Sequence, residues 1–552
     1  MPPFIGLEHY RTIFRPHDVG WFDHGLVRGQ TATSARLAPQ HVNCSPVTMD
    51  VVGAIDEGTT STRFILFNRD GEIVCSAQEE ITQHYPQPGW CEHDPEEIVD
   101  RVWRTIERCM EEAGKAHGIT AAHVKGVGVT NQRETTVVWD RETGKPLHRA
   151  VVWLDMRTAE TCHKLEQRLG GKDALRAKCG LPISTYFSGV KLRWLIDNVP
   201  EVSAACATGK AMFGTVDSWL LYNLTGGVGG GGVHVTDVTN ASRTMLMDLR
   251  TREWDAGLCE SLGVPMDLLP RILSCSEAYG ALCRGALQGV TLGGCLGDQQ
   301  AAMLGQRCAK GDGKNTYGTG CFLLMNTGEE VVPSSHGLLS TVCFQLGPKA
   351  PCQYALEGSI AVGGAAVQWL RDNLGVISKA SEVETLAASV EDTGGMHFVP
   401  AFTGLFAPRW RDDARGCMVG MTQYTTRAHV CRAALEAVCY QTREVLDAMV
   451  ADSRIELARL KVDGGMTVNN LLLSIQADTL GKPVLRPPMV ETTALGAALA
   501  AGLHAGVWTH EDLFRPSSET GATVFEPFSS PERRAQCMEG WNRAIAKAYN
   551  SA

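Results

Sequence analysis

Two distant stretches of this sequence share a pattern that strongly constrains the fold: an apolar strand ends in aspartate and turns at once through glycine and threonine. They are "AIDEGTT" (residues 54–60) and "KVDGGMT" (residues 461–467). The apolar residues before each aspartate predict a short buried strand, and the glycines predict a tight turn. Because the chain has 552 residues, more than one hydrophobic core usually covers, the repeat predicts two related α/β domains that face a shared cleft.

The first turn has the chemistry of a phosphate site. Residues 58–61 are Gly-Thr-Thr-Ser, and Arg63 follows on the predicted returning strand. Backbone N–H groups and hydroxyls in one small arc form a cradle for phosphate oxygens, and an arginine can pair with the same oxygens. Asp56, at the end of the strand, can hold Mg²⁺ through water. A structural hairpin with polar side chains is the alternative.

Polar residues also follow other predicted strands. Arg133 and Glu134 lie at the carboxyl end of one such strand, predicted over residues 124–130, and "GDQQAA" places Asp298 and Gln299 after a glycine-rich segment. The carboxyl ends of strands are where open α/β sheets bind ligands. The stretch "KNTYGTGCF" (residues 314–322) adds a second glycine-threonine turn. The sequence therefore predicts two phosphate-facing turns beside polar groups suited to a polyol, with a surface ion pair as the alternative for Arg133 and Glu134.

The composition argues against several classes of partner. The net charge of −10 disfavours nucleic acid and anionic membranes, which need a basic surface. No stretch approaches the roughly 18 uncharged apolar residues of a membrane span, and residues 494–502 predict a buried helix instead. The 19 cysteines lack zinc-site spacing and follow no secretory signal, so we expect reduced thiols and a cytoplasmic protein.

Two familiar nucleotide-binding motifs do not account for the phosphate chemistry. A literal G-x-G-x-x-G spans residues 227–232. No strand precedes it closely and no helical pattern follows it, so we assign it to a flexible loop. The Walker A pattern, G-x-x-x-x-G-K-[ST], is absent from the sequence.

Many stretches of the chain resemble the FGGY carbohydrate kinases and, within that family, its eukaryotic glycerol kinase branch. They occur in the family's order over most of residues 51–510. "RETT", "GDQ" and "TYGTGCF" separate this branch from the sugar-specific ones. The other matching stretches include "AIDEGTTSTRF", "PGWCEHDPEEI", "AVVWLDMRT", "TDVTNASRTM", "YALEGSI", "VDGGMTVNN" and "ETTALGAALAAG".

The resemblance implies an α/β fold of two actin-like (ribonuclease H-like) ATPase domains that flank a catalytic cleft. It implies an N-terminal FGGY domain over residues 49–305, on the glycerol, phosphate and metal side. A C-terminal FGGY domain over residues 306–552 then lies on the nucleotide side. Residues 1–48 have little apolar periodicity and are expected to be a disordered or mis-assigned extension, with a targeting segment as the alternative.

The resemblance also implies the reaction, ATP-dependent phosphorylation of glycerol to sn-glycerol 3-phosphate with Mg²⁺, and a homo-oligomer, dimer or tetramer. By position, Asp298 is the expected general base and, with Asp56, the expected metal ligand. The expected glycerol-binding residues are Arg133, Glu134, Trp153, Tyr186, Asp298, Gln299 and Phe322. The expected nucleotide-binding residues are Thr59, Thr60, Ser61, Arg63, Thr319, Gly364, Gln368, Gly465 and Asn469. Some eukaryotic members associate with mitochondria, which the sequence neither supports nor opposes.

Four features depart from the family's pattern. Glu57 replaces a glutamine common in bacterial members, and a carboxylate there is expected to weaken nucleotide binding unless it points away from the phosphates or touches metal-bound water. Arg409 and Arg411 stand where many members have an aromatic residue and an acid. Residues 276–294 do not match the loop through which bacterial members bind fructose bisphosphate, so that regulation is not expected.

Three other functions compete with this interpretation. The first is an FGGY kinase for another small polyol or a ketose; a pentulose or larger polyol needs a roomier pocket than Trp153 and Phe322 predict. An actin- or chaperone-like conformational ATPase shares the nucleotide cleft but needs no polyol pocket, and Arg133, Glu134 and Asp298 argue against it. A binding protein without activity is disfavoured because every expected reactive residue is present.

Overall fold

Two mixed β-sheets organise the computed structural model, which describes residues 50–411, 413–515 and 521–551. The extension predicted for residues 1–48 lies outside the described residues. Strands of the first half are β1 (Val51–Glu57), β2 (Ser61–Phe67), β3 (Ile73–Glu80), β4 (Glu92–His93), β5 (Val124–Asn131), β6 (Thr136–Asp140), β7 (Ala150–Val151), β8 (Ala211–Thr215), β9 (Val235–Asp237), β10 (Met247–Asp248), β11 (Glu253–Trp254), β12 (Arg271–Leu273) and β13 (Leu292–Gly297). Its helices are α1 (Pro95–His117), α2 (Ala159–Leu169), α3 (Arg176–Cys179), α4 (Ser188–Asn198), α5 (Pro200–Ala207), α6 (Val216–Leu224), α7 (Gly227–Gly230), α8 (Val238–Ala241), α9 (Ala256–Leu262) and α10 (Asp298–Gly305).

The second half builds the other large sheet and its helices. Its strands are β14 (Asp312–Tyr317), β15 (Cys321–Gly328), β16 (Leu339–Phe344), β17 (Gln353–Ile360), β18 (His397–Val399), β19 (Cys417–Val419), β20 (Arg459–Asp463), β21 (Val484–Arg486) and β22 (Thr523–Phe525). Its helices are α11 (Gly364–Asp372), α12 (Glu382–Ala388), α13 (Arg427–Ser453), α14 (Asn470–Leu480), α15 (Thr492–His504), α16 (His510–Leu513) and α17 (Pro531–Ile545).

The two large sheets repeat one topology. The first has the order β13-β5-β1-β2-β3, and the second contains β21-β20-β14-β15-β17 between the outer strands β22 and β16. In each, three antiparallel strands are followed by two parallel ones. The prediction of two related α/β domains is therefore confirmed at the level of the fold.

The repeat also shows that the two sequence stretches that predicted it are not equivalent. "AIDEGTT" ends β1, whose topological counterpart is β14, whereas "KVDGGMT" ends β20, the counterpart of β5. The hairpin turns that correspond are residues 58–60 and 318–320. Both stretches do end a strand at a carboxyl edge, so the local strand and turn were predicted correctly, whereas the correspondence between the two stretches was not.

Helices cover both faces of the first sheet. Helix α1 begins with Asp94 as its N-cap and Pro95 in its first turn, and Gly118 caps its C-terminus. Its apolar side packs on one face of the sheet. The other face holds α15, which comes from the far end of the chain and packs on α10, β5 and β13. A helix late in the sequence thus completes the first sheet, and it is buried as predicted for residues 494–502.

The cysteines and the helices agree with the expectations from composition. All 18 cysteines among the described residues are free thiols. Within the same residues, every helix is too short or too polar to cross a membrane.

We expect the partly buried His234 to make the protein acid-sensitive. His234 Nε2 lies 2.8 Å from the carbonyl of Phe213, and its ring packs on Trp139. Burial lowers the pKa of His234 to about 4. The unfolded chain therefore binds a proton that the folded chain does not, so stability falls as the pH drops from about 6.5 towards 4. His234→Gln should recover roughly 2 kcal/mol of this loss at pH 5. Urea unfolding at pH 5 and 7.5 checks it; an equal stability difference between variant and wild type at both pH values contradicts it.

Candidate functional site

The polar residues predicted at strand ends meet at one edge of the first sheet. Arg133 and Glu134 follow the end of β5 after one intervening residue, and Asp298 directly follows β13, the neighbouring parallel strand. Asp56 lies near the end of β1, on the other side of β5. Parallel neighbours bring their carboxyl ends together, which explains why residues far apart in the sequence share this edge.

Three aromatic side chains form a wall beside this edge. The ring of Trp153 lies 5.6 Å from that of Tyr186 and 6.2 Å from that of Phe322, both close to perpendicular. Phe322 comes from β15 of the second sheet, so both halves of the chain contribute to the wall. The indole N–H of Trp153 donates to Thr59 Oγ1 over 2.9 Å. One expected glycerol-binding residue, Trp153, is thus in direct contact with the expected phosphate turn.

Asp298, the expected general base, is partly exposed and lies beside Arg133. It is the first residue of α10, and its side chain is 34% exposed. Its Oδ1 lies 3.2 Å from Arg133 Nε and accepts from the N–H of Gln299 over 2.7 Å. Desolvation raises the pKa of Asp298, while Arg133 opposes this rise. Arg133 thereby favours the carboxylate form that can accept a proton.

Arg133 and Glu134 belong to a buried network of four charges. Arg133 forms a two-pronged ion pair with Glu357, with N···O distances of 2.7 and 2.9 Å. Arg243 Nε donates to Glu134 Oε1 over 2.6 Å and Arg243 Nη2 to Glu357 Oε1 over 3.2 Å. The four side chains are at most 2% exposed. The sequence therefore placed Arg133 and Glu134 correctly at the edge but did not predict their partners.

Asp56 and Arg63 lie opposite each other on the first hairpin. Arg63 Nη1 is 3.9 Å from Asp56 Oδ2 and 2.7 Å from Glu491 Oε2. Desolvation raises the pKa of Asp56 to about 7 against the lowering effect of Arg63, and Glu491 and Asp298 raise it further. Asp56 and Asp298 are therefore close enough to interact electrostatically. Two oxygen-bearing side chains beside a phosphate turn are the donor set that suits Mg²⁺.

The orientation of Glu57 matches one of the two exceptions stated above, namely that its side chain points away from the predicted phosphate site. Successive residues of a strand point to opposite faces of the sheet. Ile55, on the same face as Glu57, packs with α1, whereas Ala54, on the face of Asp56, packs with α15. Glu57 is fully buried, and its burial raises the pKa well above the usual range, which favours the neutral acid. Its side chain therefore points away from the face that carries Asp56.

A cavity of about 440 Å³ lies in the second half, a size typical of small-molecule sites. It brings together five of the expected nucleotide-binding residues, namely Thr319, Gly364, Gln368, Gly465 and Asn469. The other four, Thr59, Thr60, Ser61 and Arg63, lie on the first hairpin instead. Three larger surface grooves, of about 560, 610 and 670 Å³, contain none of these residues.

The arginines at positions 409 and 411 have structural partners. Arg409 pairs with Glu444 of α13 and donates to Tyr549. Arg411 pairs with Asp413 and lies over the ring of Tyr549. These contacts fasten a loop of the second half to the C-terminal segment, which accounts for the departure without involving the cleft.

Five charged residues near the site were missed by sequence reasoning: Lys191, Arg243, Lys314, Glu357 and Glu491. Lys314 Nζ donates to Gln299 Oε1 over 2.6 Å, and burial lowers its pKa. Lys191 donates to the backbone carbonyl of Tyr186. A signal was available, because Lys314 and Glu357 interrupt strands that otherwise predict burial, and such residues are rarely buried unless paired.

Comparisons with known proteins extend over most of the chain. The sequence matches the models described as "FGGY family of carbohydrate kinases, N-terminal domain" over residues 51–305 and "C-terminal domain" over residues 313–505. It is 52% identical over 513 residues to a glycerol kinase of Arabidopsis thaliana, covering 91% of this chain and 98% of that protein. A glycerol kinase of Brucella anthropi is 53% identical over 498 residues, covering 90% and 98%. Among solved structures, Plasmodium falciparum glycerol kinase with ADP has a TM-score of 0.86 at 38% identity, covering 91% and 98%.

Proposed function

The chain belongs to the FGGY family of carbohydrate kinases, and we propose that this enzyme phosphorylates glycerol with ATP, using Asp298 as the general base. The observation that carries the proposal is the 2.9 Å hydrogen bond between Trp153 and Thr59. It joins the aromatic wall of the polyol pocket to the turn expected to hold phosphate. Acceptor and donor substrates would therefore meet at this point.

Glycerol has three hydroxyl groups, each able to donate and to accept a hydrogen bond. Asp298 and Tyr186 can accept, and Gln299 can do either. Trp153 and Phe322 would pack on the carbon skeleton. Since four buried charges surround the pocket, its polar groups are held in fixed positions before substrate arrives.

The general base needs only modest strength. Phosphoryl transfer passes through a loose transition state, so positioning and charge neutralisation supply most of the rate. Asp298 takes the proton of the attacking hydroxyl, and Arg133, 3.2 Å away, opposes the rise in the pKa of Asp298 that desolvation causes. Lys314, which contacts Gln299, adds positive charge on the same side.

ATP would span both halves of the chain. The 440 Å³ cavity would hold the adenosine, and the hairpin residues 58–61 with Arg63 would hold the phosphates. Asp56 and Asp298 would hold the accompanying Mg²⁺, which neutralises phosphate charge and orients the transferred group. These assignments of individual residues are part of the proposal, as is the domain boundary near residues 305 and 306.

The alternatives are less well supported. The rings of Trp153 and Phe322 stand 6.2 Å apart and narrow the pocket, which favours a small polyol over a pentulose. A conformational ATPase gives no reason for a buried four-charge network beside the nucleotide cleft. The cytoplasmic location and the homo-oligomer stay predictions.

The test is ADP formation by the purified protein with Mg-ATP. Glycerol, dihydroxyacetone, xylulose and ribulose are compared with buffer alone. We expect strong dependence on glycerol and formation of glycerol 3-phosphate. Activity with only a ketose would leave the fold in place but refute the glycerol pocket, and hydrolysis indifferent to every polyol would favour the conformational ATPase.

A substitution at Gly465 should affect ATP alone. Gly465 lines the cavity, and a Cβ atom built on it meets no atom within 4 Å. We therefore expect Gly465→Val to leave the fold intact and to fill space that the nucleotide needs. KM for ATP should rise by about tenfold or more, which corresponds to a loss of about 1.4 kcal/mol or more in binding free energy. KM for glycerol should stay within about twofold.

The matched control is Gly230→Val, because Gly230 also has open space around its Cβ position but lies in α7, a short helical turn in the glycine-rich stretch that was predicted to be a loop. Steady-state kinetics with each substrate varied in turn distinguishes the two variants. An unchanged KM for ATP in Gly465→Val would place the nucleotide elsewhere.

A further inference from the structure

A strand of the second sheet reaches into the glycerol pocket of the first. Glu357 lies on β17, yet its two carboxylate oxygens bind Arg133 from both prongs of the guanidinium. Arg133 follows β5 of the first sheet, 224 residues earlier in the chain. The ion pair therefore connects the two halves at the residue that touches the proposed general base.

The hydrogen bonds of Arg133 show what this ion pair achieves. Nη1 donates to Glu357 and Gln300, and Nη2 donates to Glu357 and, over 3.5 Å, to Tyr186. Nε lies 3.2 Å from Asp298. Because a guanidinium is a rigid planar fork, fixing the two outer nitrogens also fixes the direction of Nε–H. Glu357 thus sets where Arg133 meets Asp298.

Arg243 holds the side chain of Glu134 in place, as Glu357 does for Arg133. Its Nε donates to Glu134 over 2.6 Å and its Nη2 reaches Glu357 over 3.2 Å. Glu134 has a backbone φ of +61°, a left-handed conformation that a non-glycine residue adopts at a cost. The buried ion pair with Arg243 gives Glu134 a fixed partner in this conformation.

The network is electrically balanced. Two arginines face two glutamates, all at most 2% exposed. Although desolvation acts to raise the pKa of Glu357, Arg133 and Arg243 hold it down to about 2, so this glutamate stays charged. Removing any one charge leaves another buried without its partner, and the remaining members must shift.

We propose that Glu357 and Arg243 are positioning residues for glycerol phosphorylation, holding Arg133 and Glu134 in the geometry that binds glycerol and supports Asp298. The inference rests on the proposed function. It gives the second sheet a part in the acceptor site in addition to its nucleotide cavity. Neither residue touches the reacting atoms; each acts through its partner.

The test compares Glu357→Gln and Glu357→Asp with a control, Glu444→Gln. Glu444 also has a mostly buried carboxylate paired with an arginine, but it lies in α13 and accepts from Arg409 and Trp541. Kinetics with glycerol and with ATP varied separately, calorimetric titration with glycerol, and thermal unfolding are measured for each.

We expect Glu357→Gln to lower kcat/KM for glycerol by roughly 10²-fold, as a small misplacement of catalytic groups does. KM for ATP should change by less than about threefold. Glu357→Asp, which keeps the charge, should recover part of the loss, and Glu444→Gln should match wild type in kcat/KM. This split between substrates is not expected of a residue that only stabilises the fold.

Three outcomes would overturn the inference. The first is an unchanged kcat/KM for glycerol in Glu357→Gln. The second is an activity loss in Glu357→Gln and Glu444→Gln that tracks their melting temperatures and affects both substrates alike. The third is wild-type protein without glycerol-dependent ADP formation, which would refute the proposed function as well and so is distinguishable from the first two.

A second variant covers the case in which Glu357→Gln does not fold. Arg243→Lys keeps the positive charge but loses the fork that reaches both Glu134 and Glu357. It should weaken glycerol binding with little effect on KM for ATP. Wild-type affinity for glycerol in a folded Arg243→Lys protein would contradict the inference.

Discussion

Asp298→Asn should lower kcat with glycerol by roughly 10²–10⁴-fold, the contribution expected of a general base. Asparagine has the same shape and can still accept from the N–H of Gln299 through its oxygen. It cannot take a proton from the attacking hydroxyl. Because desolvation raises the pKa of Asp298, the folded chain also tolerates the neutral side chain, so we expect the melting temperature to hold or rise.

Steady-state kinetics and thermal unfolding check this prediction together. Asp447→Asn serves as the control, since Asp447 is a well-exposed aspartate of α13 paired with Arg443. It should match wild type in both measurements. A folded Asp298→Asn protein with kcat within about threefold of wild type would rule out Asp298 as the base and leave positioning and charge as the whole of catalysis at this site.

The sequence predicted individual strands and turns better than it predicted the order of the strands in the sheets. Strand–aspartate–glycine–threonine patterns correctly identified strands that end at the cleft, because that chemistry is local. They did not identify which strands correspond, since "KVDGGMT" ends a parallel strand whereas "AIDEGTT" begins a hairpin. Correspondence depends on strand order, which is set by packing between distant elements and is not written in any short stretch.

The residues of the candidate site divide in the same way, into those that the local sequence predicts and those that depend on a distant partner. Residues whose role depends on a turn or a strand end, such as Thr59, Asp298 and Thr319, were predicted from their own neighbourhoods. Glu357 was not, because its partner Arg133 is 224 residues away and lies on the other sheet. Charged residues in strands that otherwise predict burial are the available signal, and they indicate that a partner exists without identifying it.

Glu57 illustrates how a face of a strand decides a residue's role. Its neighbour Asp56 points to the cleft, and Glu57 itself points to the core beneath α1. A carboxylate one position away from the proposed metal ligand Asp56 therefore need not act on phosphate. The sequence could state both outcomes but could not choose between them, since the choice depends on which face of the sheet each helix covers.

The position of Asp298 depends on an unusually close helix crossing. Asp298 begins α10, and α10 packs on α15. A Cβ atom on Gly496 of α15 would lie 1.8 Å from the carbonyl oxygen of Ala301 in α10. A Cβ atom on Gly305 would lie 1.9 Å from the carbonyl oxygen of Thr492 in return. Backbone oxygens cannot move aside as side chains can, so only glycine permits this approach.

Gly496→Ala should therefore destabilise the protein by about 1–3 kcal/mol or more, the cost of overpacking a filled contact. In a helix with free space at that position, Gly→Ala stabilises the protein by roughly 1 kcal/mol. The sign of the change in unfolding free energy therefore shows whether the crossing excludes a Cβ atom. Gly114→Ala in α1 is the matched control, because its Cβ atom would meet its nearest neighbour at an ordinary 3.4 Å. Urea unfolding should show a loss for the first variant and no loss for the second. Because the crossing also sets the direction of Asp298, kcat for Gly496→Ala should fall even at temperatures where the protein remains folded, and a stabilised, fully active variant would contradict both parts of the argument.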